Sequence, residues 1–182
     1  LGKVINTQKF DFLKAQQAPG WLQEIRGEHK PETEEYGIKS FVYTARRPFY
    51  PKKFYDFLHQ NWDKKDGKLL RSKGYFWLAT RPQYAVQWSQ AGGVARYSFA
   101  GMFWKAIPEN QWPEDDEYRA AIKDKWVEPF GDMRQELVFI GQSLDENNIR
   151  KQLDACLLND DDLLKGKDYW ALLEDPFPEW QE

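Results

Sequence analysis

The sequence predicts an α+β domain, with an antiparallel or mixed sheet of four to five strands and helices mainly on one face. Short runs rich in aromatic and β-branched residues lie between Gly and Pro breakers, which is typical of strands. Two such runs are joined through Gly92 and Gly93, as in a hairpin. Three other segments carry a single apolar stripe at helical spacing, so each helix needs one surface to pack on. One face of a sheet supplies that surface.

The first predicted strand follows Gly37 and ends at Pro48. Its aromatic residues Phe41 and Tyr43 alternate with smaller residues, as a strand with one buried face requires. A helix is predicted over 51–62, because proline occupies the first turn and apolar residues recur at helical spacing. Its stripe consists of Phe54, Phe57, Leu58 and Trp62.

The next strand is predicted over 68–82, KLLRSKGYFWLATRP. Its apolar middle is short and bounded by breakers, which favours a buried strand over a helix. The hairpin follows, with arms over 84–90 and 94–104, and the last strand is predicted over 134–142. These segments supply the strands of the sheet.

Two further helices are predicted from their ends. The segment 113–126 begins with four acidic residues and ends near two lysines, the charge order that the helix dipole favours. Ser143 and Glu146 have the spacing of a capping box, which predicts Ser143 as the N-cap of a helix. The apolar face of that helix consists of Ile149, Leu153, Cys156 and Leu157. The acidic run 160–162 is interpreted as a solvated cap, since it lacks the spacing and glycine of a calcium loop.

Composition limits the classes of partner. The net charge of −3 gives no overall basic field that would recruit nucleic acid or an anionic membrane. No apolar run approaches the ~20 residues that span a bilayer, so no membrane partner is expected. The single cysteine, Cys156, excludes an internal disulfide, and the cytoplasm is the expected location.

The motifs of catalysis and cofactor binding are missing from the sequence. Neither the Walker spacing nor Gly-x-Gly-x-x-Gly occurs, so no nucleotide-binding loop is predicted. His29, His59 and Cys156 are far apart in the sequence, which gives no local zinc-ligand spacing. We therefore predict no catalytic, cofactor-binding or metal-binding residue, while a metal site assembled within the folded domain remains an alternative.

Cations and aromatic residues near the predicted strand ends are the best candidates for a contact surface. If they converge on one edge or face of the sheet, they suit a protein partner or a single-stranded nucleic acid. The alternative is structural, with the arginines covering aromatic rings and pairing with Glu35, Asp132 or Glu136. The candidates are Arg46, Arg47, Arg71, Lys73, Trp77, Arg81, Trp88 and Arg134.

Four motifs, taken together and in this order, carry a family resemblance. They are PETEEYGIKSFVYTARRPFYP, LLRSKGYFWLATRP, WSQAGG and RQELVFIGQSLDENNIRKQLDACLL. They resemble the C-terminal domain of the CobW-type metallochaperone GTPases of the CobW/HypB/UreG class, especially the zinc-related branch. The resemblance runs from Asn6 to Leu158.

The resemblance implies a longer protein whose domains have separate functions. Members of this family pair an N-terminal P-loop GTPase domain, which carries a Cys-x-Cys-Cys metal motif, with this C-terminal module. On that pattern, 1–36 is the tail of the GTPase domain and a linker, 37–158 is a CobW C-terminal-like domain, and 159–182 is an acidic and aromatic tail. GTP, magnesium and zinc are implied for the full-length protein and none of them for this stretch.

The implied function is that of a regulatory, partner-binding domain without catalytic activity. Its implied partners are its own N-terminal GTPase domain and a client metalloprotein, and nucleic acid is not expected. Tyr50 stands where family members often have histidine, and the His-rich loop that many of them carry is missing. Both departures weaken the case for direct metal binding by this stretch. The residues that match the family pattern include Arg47, Pro48, Pro51, Arg71, Lys73, Gly74, Trp77, Trp88, Gly92, Arg134 and Gly141.

Overall fold

Five strands form one antiparallel sheet in the computed structural model, which describes residues 37–60 and 66–179. The order across the sheet is β1-β5-β2-β3-β4, so the last strand in the chain lies between the first two. The strands are β1 (Ile38–Ala45), β2 (Lys68–Phe76), β3 (Tyr84–Ala91), β4 (Val94–Met102) and β5 (Gln135–Gln142).

Helices fill the connections and the C-terminal part of the chain. They are α1 (Pro51–Leu58), α2 (Asp116–Asp124), α3 (Glu146–Cys156), α4 (Asp160–Leu164) and α5 (Lys167–Trp170). The buried side chains of α1 and α3 belong to one core cluster with the inward residues of the sheet. Both helices therefore pack on the same face, and the predicted α+β class with helices mainly on one face is confirmed.

The core between the sheet and these helices is built from aromatic rings. Phe54 of α1 lies at its centre, with ring centroids 4.1 Å from Phe49 and 5.0 Å from Phe76. Phe177, beyond the last helix, packs 5.4 Å from Phe76 and 5.3 Å from Tyr97. Residues that follow 158 thus complete the core that the strands begin.

The second strand is shorter than predicted, because β2 ends at Phe76 rather than continuing to Pro82. The buried side chain of Gln135 takes the place of a neighbouring strand at that point. Its Oε1 accepts from the Trp77 backbone N–H at 2.8 Å, and its Nε2 donates to the Trp77 carbonyl at 2.9 Å and to the Arg47 carbonyl at 2.8 Å. A side-chain amide that bonds the backbone in this way ends the strand ladder without leaving polar groups unpaired.

Two helix ends also differ from the prediction. Asp145, not Ser143, is the N-cap of α3, and its carboxylate accepts from the Asn148 N–H at 3.0 Å. Ser143 has a φ of 53° and belongs to the turn before the cap, which a sequence spacing alone does not reveal. The helix predicted over 51–62 ends at Leu58. Trp62, which was predicted to belong to it, and the features predicted for 1–36 lie outside the described residues.

Candidate contact surface

The two faces of the sheet differ in what covers them. Strand side chains alternate between faces, so those opposite the core share the other side, which we call the open face. One row of the open face crosses the whole sheet, because Val42 pairs with Val138, Val138 with Lys73, Lys73 with Ser89, and Ser89 with Arg96. The open face includes Ser40, Val42, Thr44, Arg71, Lys73, Tyr75, Gln87, Ser89, Val94, Arg96, Ser98, Glu136, Val138 and Ile140.

Positive charge and exposed apolar surface occur together on the open face. Arg71, Lys73 and Arg96 are exposed, and within the described ranges none of them makes a side-chain hydrogen bond or an ion pair. Beside them, Val42 is 48% exposed and Tyr75 is 47% exposed. Unpaired cations next to exposed apolar side chains are typical of a surface that contacts another molecule.

A corner of the open face, where β1 ends and β5 begins, holds two more of the predicted cations. Arg46 donates to the Gly131 carbonyl at 2.9 Å and to the Lys125 carbonyl at 3.0 Å. Arg134 donates through Nε to Glu136 at 2.8 Å. Burial and the neighbouring charge of Arg134 lower the pKa of the Arg46 guanidinium. Two adjoining clefts of about 330 and 300 Å³ share Lys125 and Arg134 as lining residues.

Two other predicted cations fasten the C-terminal segment to the domain. Arg47 pairs with Asp160 at 2.5 Å, and its Nη1 lies 3.4 Å from the Leu158 carbonyl. Arg81 pairs with Asp175 at 2.9 Å and donates to the Phe177 carbonyl at 3.0 Å. The structural alternative therefore describes Arg47 and Arg81 well, with Asp160 and Asp175 as counter-ions, and the predicted counter-ion Glu136 pairs with Arg134. The predicted counter-ion Glu35 lies outside the described residues.

Two of the eight candidates, Trp77 and Trp88, do not lie on an exposed surface, because both are buried. Trp77 is 1% exposed and Trp88 is 2% exposed. Their indole N–H groups donate within the fold, Trp77 to the Pro82 carbonyl and Trp88 to the Ser72 hydroxyl, each at 2.9 Å. Neither ring is available to stack on a base, which removes the main aromatic platform that the nucleic-acid alternative requires.

Metal ligands do not come together in the part of the chain that the structure describes. No three His, Cys, Asp or Glu side chains there are placed to hold an ion. His59 is exposed and stacks on Tyr55 with ring centroids 3.9 Å apart. Cys156 lies in the core, where burial raises the pKa of its thiol to about 12 and disfavours the thiolate that binds zinc. These residues do not fit a zinc site, and His29 is outside the described ranges.

Sequence reasoning missed Arg96, Tyr75 and Val42 as contact candidates. Arg96 lies in β4, where no residue is fully buried, so its position on the open face depends on how β4 pairs with β3. Only the register of β4 on β3 places Arg96 in the row that contains Lys73. For Val42 a signal was available, because strand alternation in 38–45 places it on the face opposite Phe41 and Tyr43.

A family model described as the cobalamin synthesis protein cobW C-terminal domain matches residues 38–157. The chain belongs to this family. It is 44% identical over 177 residues to the zinc-regulated GTPase metalloprotein activator 1 of Dictyostelium discoideum, a match that covers 97% of this chain and 37% of that protein. It is 32% identical over 141 residues to a zinc chaperone of Mycobacterium tuberculosis, covering 77% of this chain and 34% of that protein.

This CobW C-terminal domain also has a match among solved structures. The zinc-bound YjiA GTPase of E. coli matches with a TM-score of 0.47 and 16% identity, covering 71% of this chain and 33% of the YjiA chain. The chain thus spans about a third of the length of the curated relatives it matches. None of the described helices is long and apolar enough to cross a membrane.

Proposed function

We propose that this chain is the regulatory, partner-contacting C-terminal domain of a GTP-dependent zinc chaperone, and that it has no catalytic group of its own. The observation that carries the proposal is the 44% identity over 97% of the chain to a protein named as a zinc-regulated GTPase metalloprotein activator. The match covers only 37% of that relative, which leaves room for a separate GTPase domain. The division into 1–36, 37–158 and 159–182 remains part of this proposal.

The open face is the surface that we assign to contact with the GTPase domain. Three unpaired cations, Arg71, Lys73 and Arg96, give it a positive field in a chain whose net charge is −3. The exposed apolar side chains beside them supply area whose burial favours association. The GTPase domain that contacts the open face is expected to have a different surface in its GTP and GDP states. Its affinity for this C-terminal domain then differs between the two states, so nucleotide binding and domain contact are coupled.

A reconstitution in trans tests this assignment. The part of the Dictyostelium discoideum relative that lies outside the matched region is mixed with this chain, and affinity is measured by calorimetry with GDP and with a non-hydrolysable GTP analogue. We expect binding that depends on the nucleotide. Lys73→Glu is expected to weaken it by about tenfold, because it places a carboxylate at the centre of the face.

The matched control is Lys151→Glu, which makes the same change of charge at an exposed position of α3, away from the sheet. Equal losses from the two variants would mean that net charge alone matters and would overturn the open face as the contact. Absence of binding with either nucleotide would overturn the regulatory role. Salt-sensitive binding of a single-stranded oligonucleotide that is abolished by Lys73→Glu, with no protein binding, would instead support the nucleic-acid alternative.

A further inference from the structure

Strand β4 is an edge of the sheet with little protection. It is nine residues long, VARYSFAGM, and it contains no proline and a single charge, Arg96. Its terminal residues Val94 and Met102 are 59% and 44% exposed. Folded proteins ordinarily protect a long edge strand with prolines, several charges or covering segments, because its free N–H and C=O groups are a template for another strand.

The opposite edge, β1, does have such protection. Arg150 of α3 donates to the Val42 carbonyl at 2.8 Å and places its guanidinium 5.1 Å from the Phe41 ring centroid. This side chain competes with any strand that approaches β1. Within the described ranges, no side chain makes a comparable bond to the backbone of β4. The two edges of the sheet are therefore not equivalent.

The hairpin register shows which backbone groups of β4 point outward. Ala91 and Val94 flank the Gly92-Gly93 loop and form the first pair of the ladder. The Gly92 N–H bonds to the Leu70 carbonyl on the β2 side at 3.1 Å, which leaves the Ala91 backbone groups directed at β4. Because bonded and non-bonded pairs alternate in an antiparallel ladder, the N–H and C=O groups of Ala95 and Tyr97 point away from β3.

We propose that β4 accepts an extended segment of another protein as a sixth strand, with a carboxylate beside Arg96 and an apolar side chain beside Val94. Arg96 and Val94 are two positions apart and face the same side, so residues two apart in the added strand lie next to them. A register shift opposite Ala85 and Val86 leaves Ala100 as an extra, bulged residue in β4, which limits regular pairing to the part of β4 nearer the hairpin loop. Addition of a strand to a free edge is a common mode of peptide recognition.

Charge decides what kind of strand fits. Arg96 has no counter-ion within the described ranges, and Lys73 follows it in the same row with only Ser89 between them. A second copy of this chain would bring another Arg96 to the same edge, whereas an acidic segment neutralises the one present. The occupant is therefore a partner segment with alternating apolar residues and a central Glu or Asp, whether or not this domain also contacts a GTPase.

The test uses the isotope-labelled chain and a capped synthetic peptide. The peptide is an alternating sequence in which threonine residues separate, in order, a valine, a glutamate and a second valine. At saturating peptide, backbone amide exchange measured by NMR is expected to slow about tenfold at Ala95 and Tyr97, the scale set by one net hydrogen bond. A peptide with lysine in place of glutamate is expected to bind at least tenfold more weakly.

Two variants separate backbone pairing from side-chain effects. Ala95→Pro removes one outward N–H without removing a bond to β3, so it is expected to abolish binding while the chain stays folded, and Ala95→Val keeps both the N–H and the binding. The proposal would be overturned if the peptide slowed amide exchange at other residues but not at Ala95 and Tyr97. It would also be overturned if Ala95→Pro and Ala95→Val bound the peptide equally well. Protection at these amides in concentrated peptide-free chain, with doubling of the mass in solution, would also overturn it and identify a second copy as the occupant.

Discussion

At the scale of single residues, Asp162 is the centre of a polar cluster that joins the C-terminal helices to the loop before α1. Its carboxylate accepts from Lys165 at 2.6 Å and from the Tyr50 hydroxyl. The Trp170 indole donates to the Asp162 carbonyl at 2.8 Å. Family members often have histidine where this chain has Tyr50. Here the phenol contributes to a structural contact within the domain.

This cluster makes the stability of the C-terminal helices depend on pH. Hydrogen bonds from Lys165 and Tyr50 lower the pKa of Asp162 from 3.8 to about 2. A carboxyl whose pKa is lower in the folded state stabilises that state above its ordinary pKa, and the contribution is lost as pH falls toward the folded value. We expect amide exchange in 159–170 to accelerate across that acidic window, and Tyr50→Phe to raise the pKa of Asp162 measured by NMR. An unchanged pKa in Tyr50→Phe would contradict this role.

Residue-scale features are also where the sequence was least informative. Alternation, which is a local signal, placed Phe41 and Tyr43 on the face opposite Val42, and the structure places both rings in the core. The burial of Trp77 agrees with the buried strand predicted over 68–82, but the burial of Trp88 was not predicted, since it depends on strands and segments distant in the chain. The cap at Asp145 was missed for a related reason: Ser143 has the capping spacing, but its positive φ is set by the turn that contains it.

At the scale of elements, the contact of β2 with β5 depends on the absence of a side chain at Gly74. A Cβ at this position would lie 2.0 Å from the Glu136 carbonyl oxygen, and the φ of Gly74 is 145°. Gly74→Ala must therefore separate the two strands or strain the backbone. We expect it to lower the free energy of unfolding by about 3 kcal/mol in urea denaturation.

Gly93→Ala is the control for this prediction. Gly93 is in the hairpin loop, a Cβ added there would have no neighbour within 4 Å, and its φ is not in the positive range. The expected change in the free energy of unfolding is within about 0.5 kcal/mol. Equal effects of the two alanine substitutions would show that close strand approach at Gly74 is not what requires glycine. The sequence identified Gly92 and Gly93 as a hairpin loop, but the close contact at Gly74 needs the sheet order.

At the scale of the whole molecule, the core unites residues from both ends of the described chain. Phe177 is 4% exposed and contacts rings from α1, β2 and β4. We expect Phe177→Ala to lower the free energy of unfolding by about 3 kcal/mol, since it leaves a cavity in a packed aromatic core. Leu172→Ala, at a side chain 83% exposed, is the control and should change it by less than about 0.5 kcal/mol.

Strand existence, the hairpin and the one-sided helices could be predicted from the sequence, because each depends on a period or a breaker within one segment. The packing of 159–179 onto the core and the position of β5 between β1 and β2 could not, since both depend on contacts distant in sequence. The composition of the open face could not be predicted for the same reason. Its strands were predicted, but the row that places Arg96 in line with Lys73 exists only in the assembled sheet.

The central position of β5 has a consequence for how this domain is made in a cell. While a ribosome is still synthesising residue 130, β2, β3 and β4 are already available to form a meander, but β1 has no neighbour, because its single partner is the unfinished β5. A nascent chain therefore leaves β1, with its core residues Phe41 and Tyr43, without a strand partner until translation passes residue 142. Unpaired strand edges and exposed apolar surface make incomplete chains of this kind prone to aggregation.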